Sequence, residues 1–189
     1  NMEQLEAYFA ENAETLSASN VTKESGDVVD VRHILIAVEG GTENEEGEIT
    51  YSDQEWETCR KEAQAILDQW LAGDKTEDSF AALANEKSED PGSNTNGGLY
   101  TDVATGDMVE AFDAWCFDPS RKAGDYGIVR TELGFHIMYY SADRAIWMDE
   151  AKSDLLSQRG ADLIFQISEK YPMTVDYSKI TLGFVALDK

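Results

Sequence analysis

Two apolar runs that read as buried strands bracket the middle of the chain, and each is punctured by one imidazole: His33 in "VRHILIAV" and His136 in "GFHIMYY". The sequence has no other histidine. Whatever fold the chain adopts must seat both β-branched or aromatic runs in a sheet. If the two strands are neighbours, the imidazoles can face each other. A lone histidine in an apolar strand is more often a core residue hydrogen-bonded once than a catalyst. Two of two, at corresponding places in two strands, weakens that reading.

The sequence between them is mostly helical. From Asp53, "DQEWETCRKEAQAILDQWLAG" repeats Trp56, Cys59 or Arg60, Ala63, Ile66 or Leu67 and Trp70 with helical period, and Gly73 supplies the stop. A shorter helix follows around "DSFAALANEKS". The segment "EDPGSNTNGGLY" combines proline with glycines and asparagines and must be a shaped loop. It is not an EF-hand, because aligning Gly97 or Gly98 with the sixth position leaves no acid at the first. "MVEAFDAWCF" puts Met108, Phe112 and Trp115 or Cys116 on one helical face, and "DYGIVRTELGFHIMYYSAD" reads as two strands joined at Glu132 to Gly134. "EGGTENEEGE", directly after the first strand, reads as a long acidic loop whose glycines and like charges oppose regular structure. A strand, two helices, a shaped loop, a helix and two strands imply an α+β domain with a small, mainly antiparallel sheet.

On either side lie further helices. Residues Met2 to Ala18 place Leu5, Phe9, Ala13 and Leu16 on one face of an amphipathic helix. From Ala145 a long helix carries Leu155 or Leu156, Leu163 or Ile164 and Ile167 on one side as far as Pro172, before an extended tail alternating Val175, Tyr177, Ile180 and Leu182. The chain therefore divides at 1–29, 30–144 and 145–189. The first and last segments are expected to pack together through Leu5, Phe9 and Leu16 against Leu156, Leu163 and Ile167. Apolar surface left over on these helices would bind unfolded chains or a second copy of the protein.

The formal net charge of −23 argues against DNA, RNA or an anionic membrane as partner. The 42% hydrophobic composition nevertheless supports a folded core. No apolar run reaches bilayer-spanning length, and the N-terminus lacks a secretion-signal pattern. The opening "NMEQLEAYF" reads as the start of a fragment of something longer. Cys59 and Cys116 have neither CxxC nor Cys/His ligand spacing and sit in helical patterns, which points to buried thiols.

Taken together, "VRHILIAV", "SFAALANEKSEDPGS", "NGGLY", "GDMVEAF" and "GIVRTELGFHIMYY" resemble, in that order, the parvulin-type peptidyl-prolyl isomerases over about Val31 to Ala142. The resemblance implies a four-stranded sheet surrounded by helices. It sets His33 and His136 in the places of the family's paired active-site histidines, and Asp90 where parvulins carry cysteine or aspartate. Thr131 matches a hydroxyl beside the second histidine, and Leu133 a position that can be serine. Met108, Phe112 and Leu99 match the pocket for the substrate proline. The flanking segments are similar to those of extracytoplasmic foldases of the PrsA and SurA type. That likeness implies a secreted or surface-anchored bacterial protein acting on unfolded or partly folded polypeptides with X-Pro bonds, needing neither metal nor organic cofactor.

The chemistry suits these residue types. Rotation about a peptide bond crosses a barrier of ~18–20 kcal/mol, because resonance gives the C–N bond double-bond character. An apolar slot can grip the pyrrolidine ring and strip water from the imide, and a hydrogen-bonded Asp90/His33/His136 cluster can favour the twisted carbonyl. Nucleophilic attack by Asp90 is the weaker route, since a carboxylate attacks amides poorly and no oxyanion hole is evident. A polypeptide-binding module without turnover is the rival function. If Met108 and Phe112 line a pocket, their truncation should cost binding more than stability. Core residues would instead lose ~2–5 kcal/mol.

Overall fold

The computed structural model describes residues 1–171. The alternating tail from Val175 lies outside the described residues. A four-stranded antiparallel sheet in the order β4-β1-β6-β5 is built from β1 (Asp27–Ala37), β4 (Leu99–Val103), β5 (Tyr126–Arg130) and β6 (Gly134–Ala145). The described residues also form five helices: α1 (Met2–Ala18), α2 (Asp53–Ala72), α3 (Glu77–Lys87), α4 (Glu110–Cys116) and α5 (Ile146–Lys170). None is long and apolar enough to cross a membrane.

The two histidine strands are the central pair. Leu35 stands opposite His136 and His33 opposite Met138, so the imidazoles are diagonal neighbours on one face. Alternation sorts the rest. Ile34, Ile36, Phe135, Ile137 and Tyr139 face α2 and α3, packing with Ala63, Trp70 and Phe80. Val29, Val31, Met138 and Tyr140 face the other way, onto Phe112 and Cys116 of α4. With both faces covered, the central strands read as near-continuous apolar runs. Each such side chain stabilises the fold by ~1.5–3 kcal/mol relative to exposure.

The helix ends follow from capping. Ser52 and Glu55 form a reciprocal box at the start of α2, and Thr76 and Ser79 do the same for α3. Both cysteines are buried and free. The acidic segment after β1 departs from expectation by forming a small hairpin, β2 (Thr42–Glu43) with β3 (Ile49–Thr50). Asn44 makes it workable: its side-chain oxygen accepts from the amides of Glu46 and Glu48, both at 2.9 Å. The carboxylates themselves stay exposed in water.

Outside the sheet, α1 packs on α5 around Tyr8, Leu16, Val21, Trp147 and Ala151. Phe9 meets Trp147 edge-on at 5.2 Å, and Lys23 sits 4.9 Å over the same indole. The expected pairing of stripes needs correcting. Only the first half of α5 meets α1, through Trp147, Ala151 and Leu155, whereas Leu156, Leu163 and Ile167 are exposed. A 17-residue helix is too short to cover a 25-residue one. β1 begins at Asp27 and β6 runs to Ala145, each slightly beyond the boundaries read from turn signals. At that junction Arg144 binds Asp30 of β1 at 2.9 Å, Asp102 of β4 and Asp149 of α5, which raises its pKa.

Candidate active site

β1 supplies His33, and the loop after α3 is laced along the part of β1 that extends past its pairing with β4. The Ser88 hydroxyl accepts from the Leu35 amide at 3.1 Å, and the Glu89 amide donates to the Leu35 carbonyl at 2.9 Å. The next residue, Asp90, is thereby brought to His33. Gly98 closes the loop, its carbonyl accepting from the His33 amide at 2.9 Å with φ at +70°. Thr131 comes from the turn between β5 and β6, immediately before the strand of His136.

Four of the sequence-predicted residues form one chain of hydrogen bonds. Thr131 Oγ1 lies 2.8 Å from His136 Nε2, His136 Nδ1 lies 3.0 Å from His33 Nδ1, and His33 Nε2 lies 2.9 Å from Asp90 Oδ2. Both histidines and Thr131 are buried. An ionised carboxylate only accepts, so His33 carries its proton on Nε2. Neutral His33 must then accept at Nδ1 from His136, and His136 must accept at Nε2 from the Thr131 hydroxyl. One end of the chain fixes both tautomers.

Electrostatics agree with neutral imidazoles and a charged Asp90. Burial lowers the His33 pKa below 6.5 against the opposing pull of Asp90. Burial, helped by the neighbouring His33, lowers His136 to about 4. Burial would raise the Asp90 carboxyl, but hydrogen bonds from Ser93, the Gly92 amide and His33 hold it at about 2.

This arrangement makes stability depend on pH. Below pH 6.5 the unfolded chain takes up protons at the two histidines that the folded chain refuses. Their contribution is complete above pH 6.5 and is lost as pH falls toward 4, the His136 share being ~3 kcal/mol. Urea midpoints measured at pH 7 and 4.5 should drop accordingly, and His136→Gln should flatten the drop. An equal drop in the variant would refute the assignment.

Sequence reasoning missed two members of the cluster. Ser93, fully buried, donates to Asp90 Oδ2 at 2.5 Å and lies 3.1 Å from His33 Nε2. The Tyr100 hydroxyl donates to the same carboxylate oxygen at 3.0 Å. A signal existed for Ser93: an aspartate followed three positions later by serine, across Pro-Gly, is a turn whose side chains bond each other.

The cleft beside the cluster encloses about 200 Å³ and is lined by Met108, Phe112 and Leu133 with Tyr100 and both histidines. Leu99 is not part of it. In the sheet Leu99 stands opposite Arg32 and Tyr100 opposite Val31, so Leu99 shares the face of Arg32, turned from His33. Tyr100 takes the inward place. Met108 precedes α4 rather than sitting on its face. Phe112 is only 2% exposed, packed edge-on against His33 at 5.3 Å and His136 at 5.5 Å. Its truncation therefore belongs with core truncations. Thermal or urea unfolding should show a loss of ~3–5 kcal/mol for Phe112→Ala and a clearly smaller one for half-buried Met108→Ala. No cluster of His, Cys, Asp and Glu able to hold a metal occurs among the described residues.

Comparison with known proteins decides the family. The sequence pattern of the PPIC-type PPIase domain matches residues 14–143, more than half of the chain. The chain belongs to this family. Its fold is the α+β fold of the parvulin-type peptidyl-prolyl isomerase domain. Foldase protein PrsA of Caldanaerobacter subterraneus subsp. tengcongensis is 31% identical over 180 residues, covering 94% of this chain and 47% of that protein. Foldase protein PrsA 1 of Listeria innocua is 28% identical over 132 residues, covering 66% of this chain and 45% of that protein. The chain spans about half the length of these relatives. Among solved structures, the PrsA of Bacillus subtilis is similar with a TM-score of 0.46 at 25% identity, covering 90% of this chain and 56% of that one. A SurA-like chaperone of Campylobacter jejuni has a TM-score of 0.48 at 23% identity, covering 94% and 64%.

Proposed function

We propose that this PPIC-type domain accelerates cis/trans isomerisation of X-Pro bonds in unfolded or partly folded polypeptides, without a covalent intermediate. The observation that carries the reading is the Thr131–His136–His33–Asp90 chain, whose imidazoles and carboxylate line an apolar cleft of about 200 Å³. Met108, Phe112 and Leu133 would grip the ring. A planar imide is more polar than a twisted one, because resonance moves charge from nitrogen to oxygen. A water-poor cleft disfavours the planar form, and the tautomer-locked imidazoles present fixed dipoles to the rotating carbonyl. Asp90 is unsuited to attack: its Oδ2 already accepts from His33, Ser93 and Tyr100, and its pKa of about 2 marks a weak base. The deciding experiment is the rate of cis-to-trans conversion of Ala-Pro and Phe-Pro peptides. Folded wild-type protein without acceleration would end the reading.

The likeness to PrsA foldases supports placing this activity outside the cytoplasm. The α1–α5 pair would then hold client chains, and the exposed Leu163, Ile164 and Phe165 of α5 would support self-association.

Selectivity follows from charge. A phosphate before the proline would need Arg or Lys near the site, yet "EGGTENEEGEITYSD" after β1 holds no basic residue and five glutamates before Tyr51. Phosphorylation of the residue before proline is therefore expected to weaken turnover, read as kcat/KM for paired peptides. Faster turnover of the phosphopeptide would reverse this conclusion.

A further inference from the structure

A second groove, of about 760 Å³, runs beside the cleft and is floored by Trp56, Ala111, Ala114 and Thr131. The two share a rim. Val109 lines both, and the β5–β6 turn gives Thr131 and Glu132 to the groove and Leu133 to the cleft. Val109 is 52% and Leu133 58% exposed, two large apolar side chains left in water side by side along this border. A core has no use for them there, and exposed apolar rims mark binding surfaces.

We infer that this groove is a subsite for the polypeptide flanking the proline, taking a large apolar side chain with a basic residue beside it; the inference rests on the isomerase reading above. The occupant follows from connectivity. A ring held in the cleft belongs to a chain that must leave it, and each extended residue advances ~3.3–3.6 Å, so one or two residues carry the chain over the shared rim. Trp56 offers an aromatic wall, already stacked with the Arg130 guanidinium at 3.9 Å from the ring centroid. Glu110 and Glu132 also line the groove, so its charged groups sum to one negative charge. A lysine or arginine next to the apolar anchor complements that excess.

The test compares an Ala-Pro peptide flanked by glycines with one flanked on both sides by Phe-Lys. Wild-type protein is expected to favour the Phe-Lys peptide about tenfold in kcat/KM, mainly through KM. Ala114→Trp, a substitution on the exposed side of α4 that fills the groove, should bring the ratio near one. Binding is followed separately through amide NMR shifts of Ala111, Ala114 and Glu132 on adding the Phe-Lys peptide. Equal turnover of both peptides by wild-type, or an unchanged ratio in Ala114→Trp, overturns the subsite while leaving the isomerase reading standing. Turnover of neither peptide refutes the isomerase reading instead. The amide shifts then decide the groove by themselves, their presence supporting it and their absence overturning it.

Discussion

Gly98→Ala is expected to cost on the order of 3–5 kcal/mol, enough to unfold a marginal domain. A β-carbon built there would lie 2.2 Å from the His33 carbonyl oxygen and 3.0 Å from the Ala84 side chain. The first contact is with strand backbone, which cannot swing aside as a flexible side chain would. Gly98 also has φ at +70°, so strain adds ~1–2 kcal/mol to the clash. Gly106 separates the two effects: its φ is +93°, and nothing lies within 4 Å of an added β-carbon. Gly106→Ala should cost only the strain. Urea denaturation of both variants checks this, and equal losses would show that the close approach to β1 is unimportant. Because the Gly98 carbonyl also holds the His33 amide, any surviving Gly98→Ala protein should have lost activity beyond its loss of stability.

Asp90→Ala is expected to lower kcat/KM on X-Pro peptides by on the order of 10²-fold while the protein stays folded. The carboxylate sets the direction of the entire chain. Without it His33 Nε2 has no obligatory acceptor, both imidazoles are free to exchange tautomers, and the dipoles facing the cleft lose their fixed sense. The side chain is 15% exposed, so water can reach the vacated donors and limit the structural damage. Tyr100→Phe removes one of three donors to the same oxygen and should cost only several-fold. The readouts are peptide isomerisation rates and far-UV circular dichroism. Full activity in folded Asp90→Ala would sink the assignment.

Local rules made much of this legible in advance. α1 and α2 carry their own periodicity and stops, and the paired histidines lie on one face because strand alternation is strict. What needed three dimensions was register. β4 is five residues long, bends through Asp102 at φ +58°, and shows no alternation of its own. Whether Leu99 or Tyr100 turns inward is set by pairing with β1, which no one-strand pattern reveals, and a one-residue slip exchanges the faces. The near-complete burial of Phe112 was not legible either, because helical periodicity says which side of a helix is apolar, not how deeply that side is covered. The stripe of α5 was visible, but its cover depends on the length of α1.

Arg144 is a joint between two bodies that hardly share oil. The buried members of the α1–α5 cluster include none from the sheet, while one guanidinium spans carboxylates of β1, β4 and α5. Three anions on one cation leave an uncompensated surplus, so the joint is an ionic clasp rather than a weld. Beyond chain continuity and the Ile146 amide's bond to the Gly26 carbonyl, the helical pair is tied to the PPIC-type domain by charge. Raising the salt, which shortens the reach of charges from about 8 Å toward about 3 Å, is expected to loosen the exposed Asp102 and Asp149 contacts first and the partly buried Asp30 contact last.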